Sequence, residues 1–295
     1  MKSAFYRVPL TAAFVSCVVA LSSPAGAHHP WSTYHWARTS NPFTLQLGDN
    51  VSSAWDSYLA TTASTSSYGW GSSAVLDLRV VSGRNLSNLR KCPPASGRVE
   101  ICSYRYGTNG WLGVAQIWLS GGHIYQGTVK LNDSYFDNSK YPKYNSPQWR
   151  NLVMCQEVGH IFGLDHQDQT FSNPNLGTCM DYTSDPDGPP TNEYPNAHDY
   201  EQLEIIYNGH VDTATTVGQI VQARGKGKTP PGPGSPDDDG EIFRVGTAQW
   251  GRLVKSTNRG RTELYELDLG GGHKLLTRVI WADPEEEAEP ERGRR

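Results

Sequence analysis

The chain has 295 residues, a formal net charge of -4 and 37% hydrophobic residues, enough apolar material for one substantial core and an appendage. The mildly acidic balance, with no basic run, argues against nucleic acid as a partner. No stretch approaches the ~20 consecutive apolar residues of a membrane span.

At the N-terminus, Lys2 and Arg7 flank the start of an apolar run from Val8 to Leu21. Ala25-Gly26-Ala27 then supplies the small-x-small pattern of a signal-peptidase site. Residues 1–27 therefore read as a secretory signal. The remainder is expected to be secreted and extracellular, a monomer with no membrane attachment after processing. Of the five cysteines, Cys17 leaves with the signal and Cys92, Cys102, Cys155 and Cys179 remain. An even number in an exported chain implies disulfides, with three possible connectivities. Cys92–Cys102, around a Pro-Pro and Ser-Gly loop, and Cys155–Cys179 are the favoured pairs. Free thiols serving as metal ligands are the rival reading.

Residues 28–223 make the main domain. His28 to Asn41 is a short aromatic lead-in, with His28 and His29 in a flexible end. Asn50 is placed to cap a helix through Leu59. Val75 to Val81 reads as a strand, and Trp111 to Trp118 and His123 to Leu131 as two more. Ser146-Pro147 is a helix start, since serine caps and proline suits the first helical position. That helix runs to Gly163, and a third follows Pro195 through Leu203, Ile206 and Tyr207. Residues 224–240, rich in Pro, Gly and Asp, read as a linker. Asp237-Asp238-Asp239 lacks the alternating ligands of a calcium loop, so solvated linker is preferred. Residues 241–282 alternate like the strands of a small separate sheet, and 283–295 form a disordered charged tail. His123 and His198 read as ordinary surface or capping residues.

The chemistry is concentrated in Gln156-Glu157-Val158-Gly159-His160-Ile161-Phe162-Gly163-Leu164-Asp165-His166. Residues 156 and 160 are four apart on a helix and project from one face. Gly163 can take positive φ without a Cβ clash, ending the helix and turning the chain back to present His166. Two imidazoles and a third helix group would form an open three-ligand metal site with one position left for water. Glu157 lies close enough to take a proton from that water.

This segment resembles the metzincin zinc peptidases, whose signature is H-E-x-x-H-x-x-G-x-x-H followed by a methionine turn. The match covers Glu157, His160, Gly163 and His166. Gly177-Thr178-Cys179-Met180-Asp181-Tyr182 looks like the methionine turn, with the Met-x-Tyr form of the astacin and serralysin branches. The resemblance implies an α+β catalytic domain over roughly residues 36 to 208. Its parts would be a twisted mixed sheet with an antiparallel edge strand, an active-site helix, the turn and a C-terminal helix. It implies Zn2+ as cofactor, with His160, His166 and Gln156 as metal residues and Glu157 as general base. Met180 would floor the metal and Tyr182 would stabilise the intermediate. A peptide or protein substrate would lie along His123 to Leu131 as edge strand. Cys155–Cys179 would staple the helix to the turn.

The departure is Gln156, where the family has its first histidine. Its amide oxygen suits harder cations better than zinc. Gln156 can ligate through that oxygen, stand aside while two histidines and Tyr182 hold the ion, or mark a dead site. Two functions are therefore expected in order: a secreted zinc-dependent endopeptidase, and a catalytically inactive metzincin-like binding protein.

Overall fold

The computed structural model describes residues 28–84, 89–212, 249–257, 260 and 262–283. The signal, the linker of residues 224–240 and the charged tail beyond 283 lie outside them. In chain order the elements are β1 (His35–Trp36), β2 (Phe43–Asn50), α1 (Asp56–Ala63), β3 (Leu76–Ser82), β4 (Arg98–Tyr104), β5 (Trp111–Ser120) and β6 (His123–Asn132). They continue with α2 (Asp133–Phe136), α3 (Pro147–Ile161), α4 (Ala197–Tyr207), β7 (Arg252–Thr257), β8 (Thr262–Gly270) and β9 (His273–Trp281). The fold is mixed α+β, with few helices on one large mixed sheet of order β3-β2-β4-β6-β5-β9-β8-β7. Strands β2, β3, β4 and β6 are parallel, whereas β5, β9, β8 and β7 join antiparallel. β1 runs parallel to the start of β6 and pairs His35 with His123.

Local chemistry accounts for the elements nearest the motif. The Ser146 hydroxyl accepts from the Trp149 amide at 3.4 Å, and Pro147 follows it, so α3 begins where its cap is. α3 is buried along most of its length, which its mixed composition conceals. It packs on β5, β6 and α1. Asn196 caps α4 through the His198 and Asp199 amides, while the Asp199 carboxylate accepts from the Asn196 amide, a reciprocal capping box. Both disulfides form as favoured: Cys92–Cys102 with Cα atoms 5.9 Å apart, and Cys155–Cys179 with the same spacing. Two such bonds suit an oxidising compartment. No helix among the described residues is long and apolar enough to cross a membrane.

Several expectations are corrected. Asn50 ends β2 rather than capping a helix, because its side-chain amide donates to Gly48 O and to the buried Glu100 carboxylate. The helix starts later, behind the buried Trp55, whose indole N–H donates to Asp133 at 2.7 Å. β6 is not an edge strand; it lies between β4 and β5. The strand beyond it, β5, is antiparallel to β6, yet its outer side is occupied along its length by β9, from Trp111–Trp281 to Ser120–His273. The C-terminal strands therefore extend the main sheet instead of forming one of their own. Nor is the start of the described chain loose. His29 is buried, Trp31 N donates to Gly163 O at 2.5 Å and Asp165 N donates to His29 O at 2.7 Å.

Candidate active site

Helix α3 carries Gln156, Glu157 and His160, all buried. The helix stops at Gly163, whose φ is +94° and whose amide donates to His160 O at 3.1 Å. A Cβ there would fall 2.3 Å from the Tyr34 carbonyl oxygen, so glycine is required by space as well as by backbone angle. The turn swings His166 back toward the helix. Its Nε2 faces the Nε2 of His160 at 3.1 Å, with the ring centroids 4.7 Å apart. Because His160 Nδ1 lies 2.8 Å from the Leu164 carbonyl, which can only accept, that nitrogen carries the proton and Nε2 presents a lone pair. Two imidazole nitrogens on one tetrahedral zinc stand about 3.3 Å apart, given bonds of about 2.05 Å. The observed pair is set at nearly that spacing.

Gln156 behaves differently. Its amide nitrogen donates to Cys179 O at 2.6 Å, which ties α3 to the turn beside the disulfide. Its Oε1 is buried and has no hydrogen-bond partner among the described residues. An orphaned acceptor of that kind can serve as a neutral oxygen ligand. The two imidazoles have the spacing of strong ligands to a divalent ion, and Gln156 offers at most a weak neutral oxygen on the same helix face.

Residues 177–182 lie directly under this helix. Met180 is buried against Gly159: a Cβ on Gly159 would meet Met180 Sδ at 2.5 Å and the Trp70 ring at 2.7 Å. Thr178 Oγ1 accepts from the Met180 amide at 2.9 Å and donates to Asp199 at 2.5 Å, locking the turn to the start of α4. Tyr182 stacks on His166 with centroids 5.8 Å apart and donates its hydroxyl to Trp281 O of β9 at 3.4 Å.

Burial governs the titrating groups. It pushes the Glu157 carboxyl well above the usual carboxylate range, with Arg278 and the Ala115 backbone pulling it part of the way back. It lowers His160 to about 3, helped by the Arg278 charge, and it lowers His166 well below the ordinary value, helped by His160 and Arg278. Both imidazoles are held neutral, the form that binds metal. Glu157 can approach β5 only because residue 113 is glycine, where a Cβ would stand 2.6 Å from Glu157 Oε1.

Arg278 went unnoticed in the sequence. It sits on β9 opposite Ala115 of β5 and is buried, and its guanidinium forms an ion pair with Asp165, the residue before His166. Lys255 of β7 reaches the other oxygen of Asp165 at 3.5 Å. Burial alone would raise the Asp165 carboxyl, but Arg278 and then Lys255 more than offset this and hold it below the usual range. A lone cation inside Leu275-Leu276-Thr277-Arg278-Val279-Ile280 was the available signal, since a buried charge needs a partner. His198 lies at the start of α4, 3.6 Å from Glu201, with its ring 5.3 Å from that of His29. No protein-family model and no curated protein matches the chain.

Proposed function

We propose that the chain is an exported zinc-dependent endopeptidase of the metzincin type, kept latent by its own C-terminal strands. The observation that carries the reading is the pair of neutral, buried imidazoles with facing Nε2 atoms at 3.1 Å, with the buried Glu157 three residues before His160 on the same helix. Gly163 at positive φ, Met180 against Gly159 and Tyr182 on His166 add to it. His160 and His166 would hold the ion, with Gln156 Oε1 as a weak third ligand. A zinc ion there would polarise a peptide carbonyl and lower the pKa of water. Ionised in the field of that cation, Glu157 would accept the proton of the attacking water and pass it to the leaving amine. Tyr182, whose ring is fixed on His166, would release its bond to Trp281 O and offer its hydroxyl to the developing oxyanion.

Latency follows from β9. An extended substrate would pair with the outer edge of β5, and β9 already occupies that edge. Arg278 then places its charge among Glu157, His160 and His166 through its ion pair with Asp165. A positive charge at that point opposes a divalent cation. The other reading, a metzincin-like binding protein without catalysis, is favoured by the commitment of the Gln156 amide to Cys179 O.

The test is cleavage of an unfolded polypeptide by the signal-processed protein with zinc, with and without chelator, beside Glu157→Ala. Slow, chelator-sensitive cleavage that disappears in Glu157→Ala is expected. Equal behaviour of both proteins, with zinc bound, would leave the binding-protein reading standing.

A further inference from the structure

The molecule carries another histidine cluster, on the far side of the lead-in strand. His35 and His123 are direct partners in the β1–β6 pair, so their side chains stand side by side on one face of the sheet. Their rings are 4.8 Å apart and nearly perpendicular. The chain leaving α4 brings His210 to the same point, 4.7 Å from His35 and again nearly perpendicular, and Asp212 follows it. Three segments far apart in sequence thus deliver three imidazoles and a carboxylate to one place.

The hydrogen bonds around the cluster fix the tautomer of His35 and tie the other members to it and to Asp212. His35 Nδ1 lies 2.7 Å from Thr33 O, a pure acceptor, so Nδ1 carries the proton and Nε2 is a lone pair. That Nε2 faces His210 Nε2 at 3.2 Å and Asp212 Oδ1 at 3.7 Å. His123 Nε2 donates to the same Oδ1 at 2.8 Å, a proton that a bound cation would displace. The other carboxylate oxygen is taken by Arg38, through its backbone amide at 3.0 Å and its Nη1 at 3.3 Å. Arg38 Nη2 meanwhile donates to the His210 carbonyl at 2.7 Å. Arg38 thereby holds both arms of the chain and leaves Oδ1 as a monodentate group. Such outer hydrogen bonds are what fix ligand orientation at metal sites.

We propose that His35, His123, His210 and Asp212 form a second metal site, for a zinc-class divalent cation, closing the lead-in strand onto the chain beyond α4. Three nitrogens and one oxygen are a tetrahedral donor set for zinc rather than for calcium or magnesium. The ligand atoms of His35, His123 and Asp212 lie within 4.8 Å of one another, and an ion would draw them in to about 3.3 Å by small side-chain rotations. His210 is exposed and His123 half-exposed, so an ion can enter from solvent. The site has no catalytic base within it and leaves no ligand position open, so its role is to fasten, as structural zinc sites do.

The experiment uses full-length, untagged protein carrying His160→Ala and His166→Ala, so the outcome is independent of the peptidase reading. Zinc and cobalt(II) are added, and metal per chain, the visible absorption of the cobalt form and Tm are recorded. Close to one ion per chain, a tetrahedral cobalt spectrum and a zinc-dependent rise in Tm are expected. His123→Gln, at a half-exposed position that tolerates change, should weaken binding more than about 100-fold and abolish the rise in Tm. Circular dichroism confirms that each variant folds. No bound ion in the folded double variant, or unchanged binding after His123→Gln, would overturn the proposal.

Discussion

The two histidine clusters, each proposed above to hold a cation, teach opposite lessons about how such a site is written in a chain. His160 and His166 lie six residues apart on one helix and its turn, and their spacing can be read directly from sequence. That cluster is buried, is clamped by a disulfide and a methionine turn, and is short of one strong ligand. His35, His123, His210 and Asp212 come from three distant segments with no spacing rule, yet together they would supply a full donor set near solvent. The buried cluster is suited to reaction, with an acid–base group and a position left open. The cluster near solvent is suited to fastening.

Breaking the clamp on the buried cluster should have the largest effect on stability. Replacing Cys155 and Cys179 together by alanine removes a loop closure of 24 residues. The loss should be about 3.5 kcal/mol on the chain-entropy account, measured by denaturant unfolding. The distant cluster should keep its metal in that variant as long as the chain is folded.

Supplying the missing ligand should narrow the difference between the clusters. Gln156→His gives the helix its second imidazole four residues before His160 and removes the amide bond to Cys179 O. Zinc affinity at the buried cluster should rise about 100-fold or more, read by competition with a chromogenic chelator in a His123→Gln background. Unchanged affinity would mean that residue 156 does not face the ion.

Gly159 tests how tightly Met180 supports the helix. An alanine Cβ would lie 2.5 Å from Met180 Sδ and 2.7 Å from the Trp70 ring. Gly159→Ala should cost about 2 kcal/mol by overpacking, despite the better helix propensity of alanine. Thermal unfolding checks the sign.

A further effect is in the pH dependence of the lead-in that covers the motif turn. Burial lowers His29 to about 4 from the ordinary 6.5, with the Asp165 carbonyl opposing. Between those values the unfolded chain binds a proton that the native chain refuses. The neutral imidazole's contribution is complete above pH 6.5 and is lost as pH falls toward 4. The neighbouring Asp199 carboxyl, 3.5 Å away and pushed up to about 6 by burial, acts in the opposite sense. The difference between wild type and His29→Gln isolates the histidine. It should move against the wild type by about 1.4 kcal/mol per pH unit at most across that window.

What could be read from the residues was local. The helix cap at Ser146, the stop at Gly163 and the Met-x-Tyr sequence depend on neighbours in sequence and were visible there, whereas the two cysteine pairs were favoured among three possible connectivities. Strand pairing was not. β2 alternates plainly at Phe43, Leu45 and Leu47, but the polar Asn50 at its end reads equally well as a helix cap. β4 carries Glu100, which is buried in a bond with Arg98 at 2.8 Å and interrupts an otherwise apolar run. Alternation marked Lys274 to Trp281 as a strand without saying which edge it would cover, because a period of two specifies a face and not a partner. The same gap hid Arg278 from the site, and it left His123 looking like a surface residue.

The most direct test of the account compares Arg278→Ala with Arg278→Ala/Glu157→Ala in zinc-containing buffer, following cleavage of an unfolded polypeptide by mass spectrometry. Removing the guanidinium should loosen the hold of β9 on Asp165 and raise cleavage above wild type by about tenfold or more, equivalent to about 1.4 kcal/mol. Adding Glu157→Ala should lower it by about 100- to 10,000-fold. No cleavage by Arg278→Ala, with zinc bound at His160 and His166, would contradict the peptidase reading. Cleavage that persists without Glu157 would contradict the assigned base.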